Sequence, residues 1–511
     1  MYNVILTTFN ARYSHASLGL RYLRANMGDL TAATHIEEFI LDTRPIDALE
    51  QLLQHQPIVI GLGVYIWNIE QSLALAALIK TVSPQTVVVL GGPEVSYEYL
   101  QQPIMQYADY LICGQADLAF PDLCREILDG KPPQNKIVTP LPFKLEQLQL
   151  PYQEYNEMDI ATRNIYVEAS RGCPFKCEFC LSSLDKTAWA FDQNRFLEQI
   201  QSLYERGARS FRFVDRTFNL KAAASARILQ FFLEHMSDDL FVHFEVIPDH
   251  LPEQLKELIV QFPPGCLQFE VGVQTFNPEV QQLISRRQDN EKTRTNLRWL
   301  REHTHAHIHA DLIAGLPGED LESFARGFDD LVVLRPHEIQ VGILKRLRGS
   351  PIIRHTEEFS LRFNPAPPYN ILSTNLLSFS QLQDISRFAR YWDLCANSGR
   401  FKHSLPLILG EHPFQRFMAL SQWIYRQTQR MHKLSLQRLF YLLYQGAQLA
   451  LHLTTDELLP ALQKDFAISG VKGTLENVLT RFEQRQQNDA IVPEASPFQR
   501  QARHISTQED D

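Results

Sequence analysis

Cysteine is scarce: the chain has 7 in 511 residues. That is too few for a disulfide scaffold in a 59.0 kDa protein and points to a reducing, cytoplasmic compartment. Excess positive charge is also missing. Lys and Arg total 49 against 59 Asp and Glu, a net charge of -10. This excludes a strongly basic nucleic-acid protein on electrostatic grounds, and a small-molecule substrate is expected instead. No apolar run is long enough to span a bilayer. The start, MYNVILTTFNAR, has neither the basic n-region nor the apolar block of a secretory signal. GxGxxG and GxxxxGK[ST] are absent too, so neither a dinucleotide fingerprint nor a Walker-type phosphate loop is supported. What is present, 44% hydrophobic and 21% charged residues, is the balance of a soluble globular chain, with about three domains at ~150 residues each.

Over residues 1–130, short apolar runs alternate with helical periodicity. The runs are Asn3–Thr8, His35–Leu41, Pro57–Gly63, Thr86–Leu90 and Tyr107–Cys113. Their lack of alternation is that of strands buried on both faces. Between them, Ser17–Asn26, Asp47–His55, Glu70–Thr81 and Asp117–Leu128 space apolar residues by three and four. This βα alternation predicts a doubly wound parallel sheet of Rossmann type, binding ligands at its carboxyl strand ends. Thr8–Gly19, Gly61–Asn68, Gly91–Ser96 and Gly114–Asp117 fall there. Gly91 and Gly92 allow close backbone approach to a ligand, although any single glycine is explained as readily by a tight turn. Residues 131–163, with Pro132, Pro133, Pro140, Pro142 and Pro151, read as an extended linker.

A strand-like run, Asn164–Ala169, leads into Arg-Gly-Cys173-Pro-Phe-Lys-Cys177-Glu-Phe179-Cys180. Three thiolates at CxxxCxxC spacing can hold three irons of a [4Fe-4S] cluster and leave the fourth open to an exogenous ligand. A zinc site would need a fourth ligand, and no further His or Cys lies within the next twenty residues. An electron-transfer cluster would need Cys113, Cys124, Cys266 or Cys395 as a remote fourth ligand.

These cysteines, with Phe179 between the last two, resemble the cluster motif of the radical S-adenosylmethionine (SAM) superfamily. Further segments follow in that superfamily's order. Phe211–Asn219, with Asp215, resembles its second barrel strand, and Phe244-Glu245-Val246 its third. Glu270-Val-Gly-Val-Gln274-Thr275 with the trailing Arg286 resembles the fourth, Asp311–Glu319 with Gly315 the fifth, and His337–Pro351 the sixth. The resemblance implies a partial (β/α)6 barrel of TIM type over residues 164–358.

The sheet ahead of the barrel resembles the cobalamin-binding domain of one class within that superfamily. That class includes a broad bacterial family with a helical C-terminal extension. Asn10–Leu23 and Val64–Asn68 resemble its first and third loops, Gly91-Gly92-Pro93-Glu94 its fourth, and Gly114–Asp117 its G-E-G-E loop with Gln115 in place of an acid. One departure is plain. Tyr13-Ser-His15-Ala-Ser-Leu-Gly19 is not the DxHxxG of histidine-ligated cobalamin proteins. His15 is thus either a weak ligand candidate or an ordinary loop histidine, and Tyr13, Tyr65 or Trp67 would cap the cofactor's lower face.

The resemblance implies an oxygen-sensitive enzyme in which Cys173, Cys177 and Cys180 hold a [4Fe-4S] cluster that cleaves SAM reductively to a 5′-deoxyadenosyl radical. A flavodoxin- or ferredoxin-type donor supplies the electron, and cobalamin-dependent methyl transfer to an unactivated carbon follows. Gln274 and Arg286 would hold the SAM ribose and carboxylate, Arg287 being one residue away from the latter role. Glu245 joins the cofactor-binding set. Asp215 would accept from the SAM ammonium or act as a helix N-cap. Gly315 would shape the turn beneath the adenine. A non-methylating rearrangement, cyclisation or oxidation is the alternative within the class, and a non-catalytic iron–sulfur or cobalamin sensor the alternative outside it. A tRNA methylthiotransferase type fits poorly, because only Cys113 and Cys124 precede Cys173. Residues 359–485 read as a helical domain, and residues 486–511, rich in Gln, Arg, Asp and Glu, as a disordered tail.

Overall fold

The strand β1 (Val4–Asn10) is buried at every position, so it has to run inside a sheet covered on both faces. In the computed structural model, which describes residues 2–489, it does so. The sheet also contains β2 (Thr34–Ile40), β3 (Val59–Gly63), β4 (Val87–Gly91), β5 (Tyr110–Ile112) and β6 (Ile137–Val138). All pairs are parallel, in the order β2-β1-β3-β4-β5-β6. Alternate residues of β1 feed two cores. Ile5 and Phe9 pack with α2 (Pro45–Gln54) and α3 (Ile69–Val82), whereas Val4 and Leu6 pack with α1 (Leu18–Ala25) and α4 (Ala119–Leu128). The strand order reverses between β1 and β3, and ligands of such sheets bind at this switch point.

The stretch 131–163 is more than an extended linker. It supplies β6 and the short helix α5 (Glu157–Thr162), and it braces the barrel. Tyr152 and Tyr155 are fully buried. The Tyr155 hydroxyl donates to Tyr166 O at 2.8 Å and accepts from Tyr166 N at 3.1 Å. Tyr152 does the same for Glu168, at 3.1 and 3.0 Å. The first barrel strand, β7 (Ile165–Val167), is an edge strand, and the two phenols satisfy backbone groups that a neighbouring strand would otherwise pair.

The cluster segment is closed at its base by an antiparallel pair, β8 (Ser170–Arg171) with β9 (Trp189–Ala190). The barrel continues with α6 (Gln193–Glu205), β10 (Ser210–Phe213), α7 (Ala222–Glu234), β11 (Phe241–Val246), α8 (Glu253–Ile259), β12 (Leu267–Gln274), α9 (Pro278–Leu283), α10 (Asn290–His303), β13 (His307–Ala314), α11 (Leu321–Leu334) and β14 (Glu338–Ile343). The order β14-β13-β12-β11-β10-β7 is entirely parallel, giving the partial six-stranded barrel. Burial alternates along β12 and β13. Leu267, Phe269, Val271, Ile308, Ala310 and Leu312 are buried, and the intervening Gln268, Glu270, His307, His309 and Asp311 share the opposite face.

Residues 359–378 are not helical throughout: β15 (Arg362–Phe363) and β16 (Ile371–Ser373) form an antiparallel pair before α12 (Phe379–Trp392). Among the described residues, those up to Ser386 form one unit and those from Arg387 a second. The second unit is helical, with α13 (Leu405–Leu409), α14 (Pro413–Thr428), α15 (Leu436–Leu451), α16 (Thr455–Ile468) and α17 (Leu475–Asp489). Phe414, Phe417, Phe440 and Phe466 are buried in it. Its buried Asp465 accepts from Ser404 N and Ser404 Oγ at 2.9 and 2.6 Å. Of the tail expected over 486–511, residues 486–489 continue α17, and the rest lies outside the described residues. No helix among the described residues is long and apolar enough to cross a membrane.

Candidate active site

The cysteine loop leaves β7 and turns at Gly172, whose φ of +91° is left-handed. A Cβ there would stand 2.6 Å from Thr187 O, so only glycine fits. Asp185 O accepts from Cys173 N at 2.9 Å, and Cys177 O from Cys180 N at 3.1 Å. Glu178, between the second and third cysteines, is 3% exposed and anchors the loop. Its carboxylate accepts from Ser285 Oγ at 2.5 Å, from Arg354, and lies 2.9 Å from His355 Nε2. Its backbone bonds to Ile284 and Ile352. Nothing in the local sequence marks Glu178, because all these partners are far along the chain.

Cys173, Cys177 and Cys180 open on one cleft of ≈ 970 Å³, counting space continuous with solvent. Phe179, Arg216, Glu245, Gln274, Arg286 and Asp311 also line it. Burial pushes the Cys173 and Cys177 thiols up, while Arg286, with Nη1 3.6 Å from Cys177 Sγ, works the other way at Cys177. Among the described residues, one set of three His, Cys, Asp or Glu ligand atoms lies within 4.8 Å of one another, and it does not include these cysteines. All three nevertheless line the same cleft. No other cysteine lines the cleft. The donor set therefore fits a cluster with three protein ligands.

Gln274 has φ +68°, a strained conformation for a non-glycine residue, at the bulge that ends β12. A Cβ on Gly272 would lie 2.5 Å from the Gln274 amide nitrogen. Arg286 bonds Gly272 O and Gln288 Oε1. Arg287 lines the same cleft, but it is Arg286 that reaches Cys177.

Asp215 is placed differently from the expectation. Its carboxylate accepts from Ala169 N at 2.9 Å and Ser170 Oγ at 2.5 Å, so it braces the exit from β7 and does not line the cleft. Burial pushes it up to about 7 despite those hydrogen bonds. Its neighbour Arg216 faces the cleft and holds Glu245 at 2.6 and 2.8 Å. Gly315 is also away from the cleft: a Cβ there would meet Ile371 Cγ2 at 2.5 Å.

Of the acidic and histidine side chains inside the barrel, Glu245 is an expected site residue, and it lines the cleft together with Glu270 and Asp311. Glu245, Glu270, His309 and Glu338 stand in register across β11 to β14. His243 Nε2 is 3.3 Å from Glu270 and His309 Nε2 is 3.3 Å from Asp311. His309 Nε2 and Asp311 Oδ1 are nevertheless buried without a hydrogen bond of good geometry. Burial pushes the Asp311 carboxyl up. The alternation H-I-H-A-D in β13 was the available signal.

The loops at the carboxyl edge of the first sheet face this mouth. Arg171, two residues before Cys173, is 3.0 Å from Asp117, and Gln115 Nε2 is 3.4 Å from Asp185. Arg348, after β14, bonds Glu94 at 2.8 Å. Gly91 and Gly114 have nothing within 4 Å of a notional Cβ, so open space lies over the ends of β4 and β5. Gly92, in contrast, is needed for packing: a Cβ would stand 2.4 Å from Val64 O. Tyr65 and Trp67 stack at 4.5 Å, and the Trp67 indole donates to Phe9 O at 3.2 Å. Tyr13 lies under the Arg163 guanidinium, 4.6 Å from its ring centroid. His15 Nδ1 is 2.5 Å from the Tyr166 hydroxyl, and Ser14 O accepts from Asn164 N at 2.9 Å. His15 is thus a docking residue on the barrel. The space that Gly91 and Gly114 leave at the carboxyl edge of the sheet fits a bound cofactor there.

Residues 167–331 match the Radical SAM superfamily, residues 5–124 the B12 binding domain, and residues 357–507 a protein family of unknown function, DUF4080. The chain is 25% identical over 343 residues to the 2-(S-pantetheinyl)-carbapenam-3-carboxylate methyltransferase of Streptantibioticus cattleyicolor, covering 58% of this chain and 48% of that protein. It is 23% identical over 389 residues to the cobalamin-dependent radical SAM methyltransferase TokK of Streptomyces tokunonensis, covering 66% and 54%. The chain therefore spans about half the length of these relatives. The fold resembles the cobalamin-dependent SAM radical enzyme OxsB, with a TM-score of 0.63 at 13% identity over 94% of this chain and 84% of that one. It also resembles the methyltransferase TsrM of Kitasatospora setae, with a TM-score of 0.57 at 16% identity over 74% and 82%. The chain carries a radical SAM domain over residues 167–331 and a B12-binding domain ahead of it, over residues 5–124.

Proposed function

We propose that this chain is a cobalamin-dependent radical SAM methyltransferase acting on a polar small molecule. The observation that carries the reading is the orientation of the first sheet. Its ligand-side loops meet the cysteine loop through Asp117–Arg171 and Gln115–Asp185, so two cofactor sites open on one barrel mouth. With its cofactors bound, such a site supplies a carbon-centred radical and a methyl donor.

The chain's own residues do the rest. Cys173, Cys177 and Cys180 hold three irons and leave the fourth for SAM. Arg286 takes the SAM carboxylate with its planar fork, and Gln274 the ribose. Arg216, fixed on Glu245, offers a second cation at the rim. Gly91 and Gly114 leave room for cobalamin, and Tyr65 with Trp67 cap it. The lumen carboxylates Glu270 and Asp311, together with His309, seat the substrate through its hydrogen-bond donors and keep its reacting carbon in place. The helical second unit takes no assigned step. A flavodoxin- or ferredoxin-type donor supplies the electron, and seven free cysteines support a reducing, cytoplasmic setting.

The test uses the anaerobically reconstituted chain with SAM, hydroxocobalamin and a low-potential reductant. Formation of both 5′-deoxyadenosine and S-adenosylhomocysteine is expected. 5′-Deoxyadenosine alone would favour the non-methylating alternative, and neither product would overturn the assignment.

A further inference from the structure

Away from the cleft, two histidines and a glutamate converge at the edge of the first sheet. His35 and Glu37 lie two residues apart on β2, so they share one face, and β2 is the outermost strand. His35 Nε2 is 3.1 Å from Glu37 Oε2. The third residue, His55, ends α2 and is fixed by its backbone N–H on Leu52 O at 3.2 Å. Ligand atoms of all three lie within 4.8 Å of one another. Tyr2 holds the rings in place: it stacks on His35 at 4.8 Å and 15°, and tilts against His55 at 5.4 Å. The Glu37 carboxylate has His35 as its partner and, among the described residues, no arginine or lysine within salt-bridge reach. The His55 imidazole makes ring contacts but no hydrogen bond among the described residues. Lone pairs are therefore available on all three side chains.

We propose that His35, Glu37 and His55 form a zinc site. Two imidazoles and a carboxylate are a zinc donor set, with water in the fourth position. The absence of a thiolate disfavours cuprous ion, and a net charge of -10 favours a dication. Tetrahedral zinc places donors about 3.3 Å apart. His35 and Glu37 are already that close, and His55 is half-buried, so side-chain rotation closes the remainder. The ion would tie the end of α2 to the outermost strand and cover part of an open sheet edge.

The test uses the untagged chain with its cluster loaded, so that Cys173, Cys177 and Cys180 are occupied by iron. It is dialysed against limiting ZnCl2 and its metals are counted. One zinc per chain is expected beyond the iron. His35→Ala with His55→Ala should abolish it at unchanged iron content, and Glu37→Gln, which removes a carboxylate ligand, should weaken it by about 100-fold or more, beyond the range seen for outer-shell partners. Zinc should also slow amide exchange in β2 and the last turn of α2, in the wild type only. No stoichiometric zinc in the wild type, or equal zinc in the double variant, would overturn the site.

Discussion

Glu38→Gln is the most informative single substitution in the first sheet, because one carboxylate holds the whole loop after β1. The Glu38 side chain is 5% exposed. It accepts from Asn10 Nδ2 at 2.9 Å, Ser17 N at 2.6 Å, Arg21 Nη2 at 2.9 Å and Arg163 Nη1 at 2.8 Å. Arg21 is itself buried and reaches Asp159 at 2.7 Å, so the network links α1, β2 and α5. Glutamine keeps the volume and one acceptor oxygen, but it turns an amide N–H₂ towards donors and removes the charge facing two guanidinia. Each charge-assisted bond is worth about 1.5–3 kcal/mol. Two are lost, Asp159 still serves both arginines, and the relieved desolvation of Glu38 offsets part of the cost. A local loss of about 2–4 kcal/mol follows. A multi-domain chain need not unfold in one step, so native-state hydrogen exchange is the assay. Protection should fall at residues 11–21 and 157–163 and hold in β3 and β4.

The pH dependence gives an independent check. Burial works to raise the Glu38 carboxyl, but the Arg21 guanidinium and the hydrogen bonds from Arg21, Asn10 and Ser17 outweigh it, so its pKa lies below the ordinary 4.5. The folded state then binds the proton less readily than the unfolded chain. The stabilisation is fully present above 4.5 and is lost as pH falls through the lower folded value. The gap between wild type and Glu38→Gln should therefore be flat near neutrality and close in acid. A gap that persists in acid, a loss below about 0.5 kcal/mol, or deprotection spread evenly over the sheet would refute the reasoning.

Three further outcomes are expected. Cys173→Ala, Cys177→Ala and Cys180→Ala should each abolish the cluster, while Cys113→Ala, Cys124→Ala, Cys266→Ala and Cys395→Ala keep it; iron counting after anaerobic reconstitution decides, and wild-type iron in the triple variant would end the assignment. Arg286→Ala should retain iron yet weaken SAM binding by roughly 10–150-fold, the equivalent of about 1.5–3 kcal/mol for a charge-assisted contact, read by titrating the reduced cluster's electron paramagnetic resonance signal. In cobalamin-loaded protein, the Co(II) spectrum should lack nitrogen superhyperfine splitting and be the same in His15→Ala, because the segment Tyr13–Gly19 departs from the DxHxxG of histidine-ligated cobalamin proteins; splitting that vanishes in the variant would instead make His15 the lower ligand.

The elements that were legible owe their visibility to burial on both faces. Asn3–Thr8, Pro57–Gly63 and Thr86–Leu90 sit within a residue or two of β1, β3 and β4, because strands covered on both sides leave unbroken apolar runs. Ser17 and Asn26 bound α1 as its caps. The cysteine loop was legible because its chemistry is local in sequence. β6 was not: two residues, Ile137 and Val138, carry no periodicity. Asp215 shows a different limit. An acid at a strand's carboxyl end reads as ligand-facing, yet the unpaired Ala169 N–H and Ser170 hydroxyl captured it.

The linker shows why such contacts escape a one-dimensional reading. Its prolines set an extended path, and that much is local. What the path is for depends on β7, an edge strand only because the barrel stops at six strands. An open barrel leaves the backbone of β7 to be satisfied by something other than a strand, and Tyr152 and Tyr155 do this with hydroxyls spaced, like the strand residues they serve, to match Tyr166 and Glu168. The same opening lets His15 and Ser14 dock at Tyr166 and Asn164. The contacts of His15 and Ser14 with the barrel are thus consequences of an incomplete barrel, and they add to the ion pairs Asp117–Arg171 and Glu94–Arg348 at its carboxyl end.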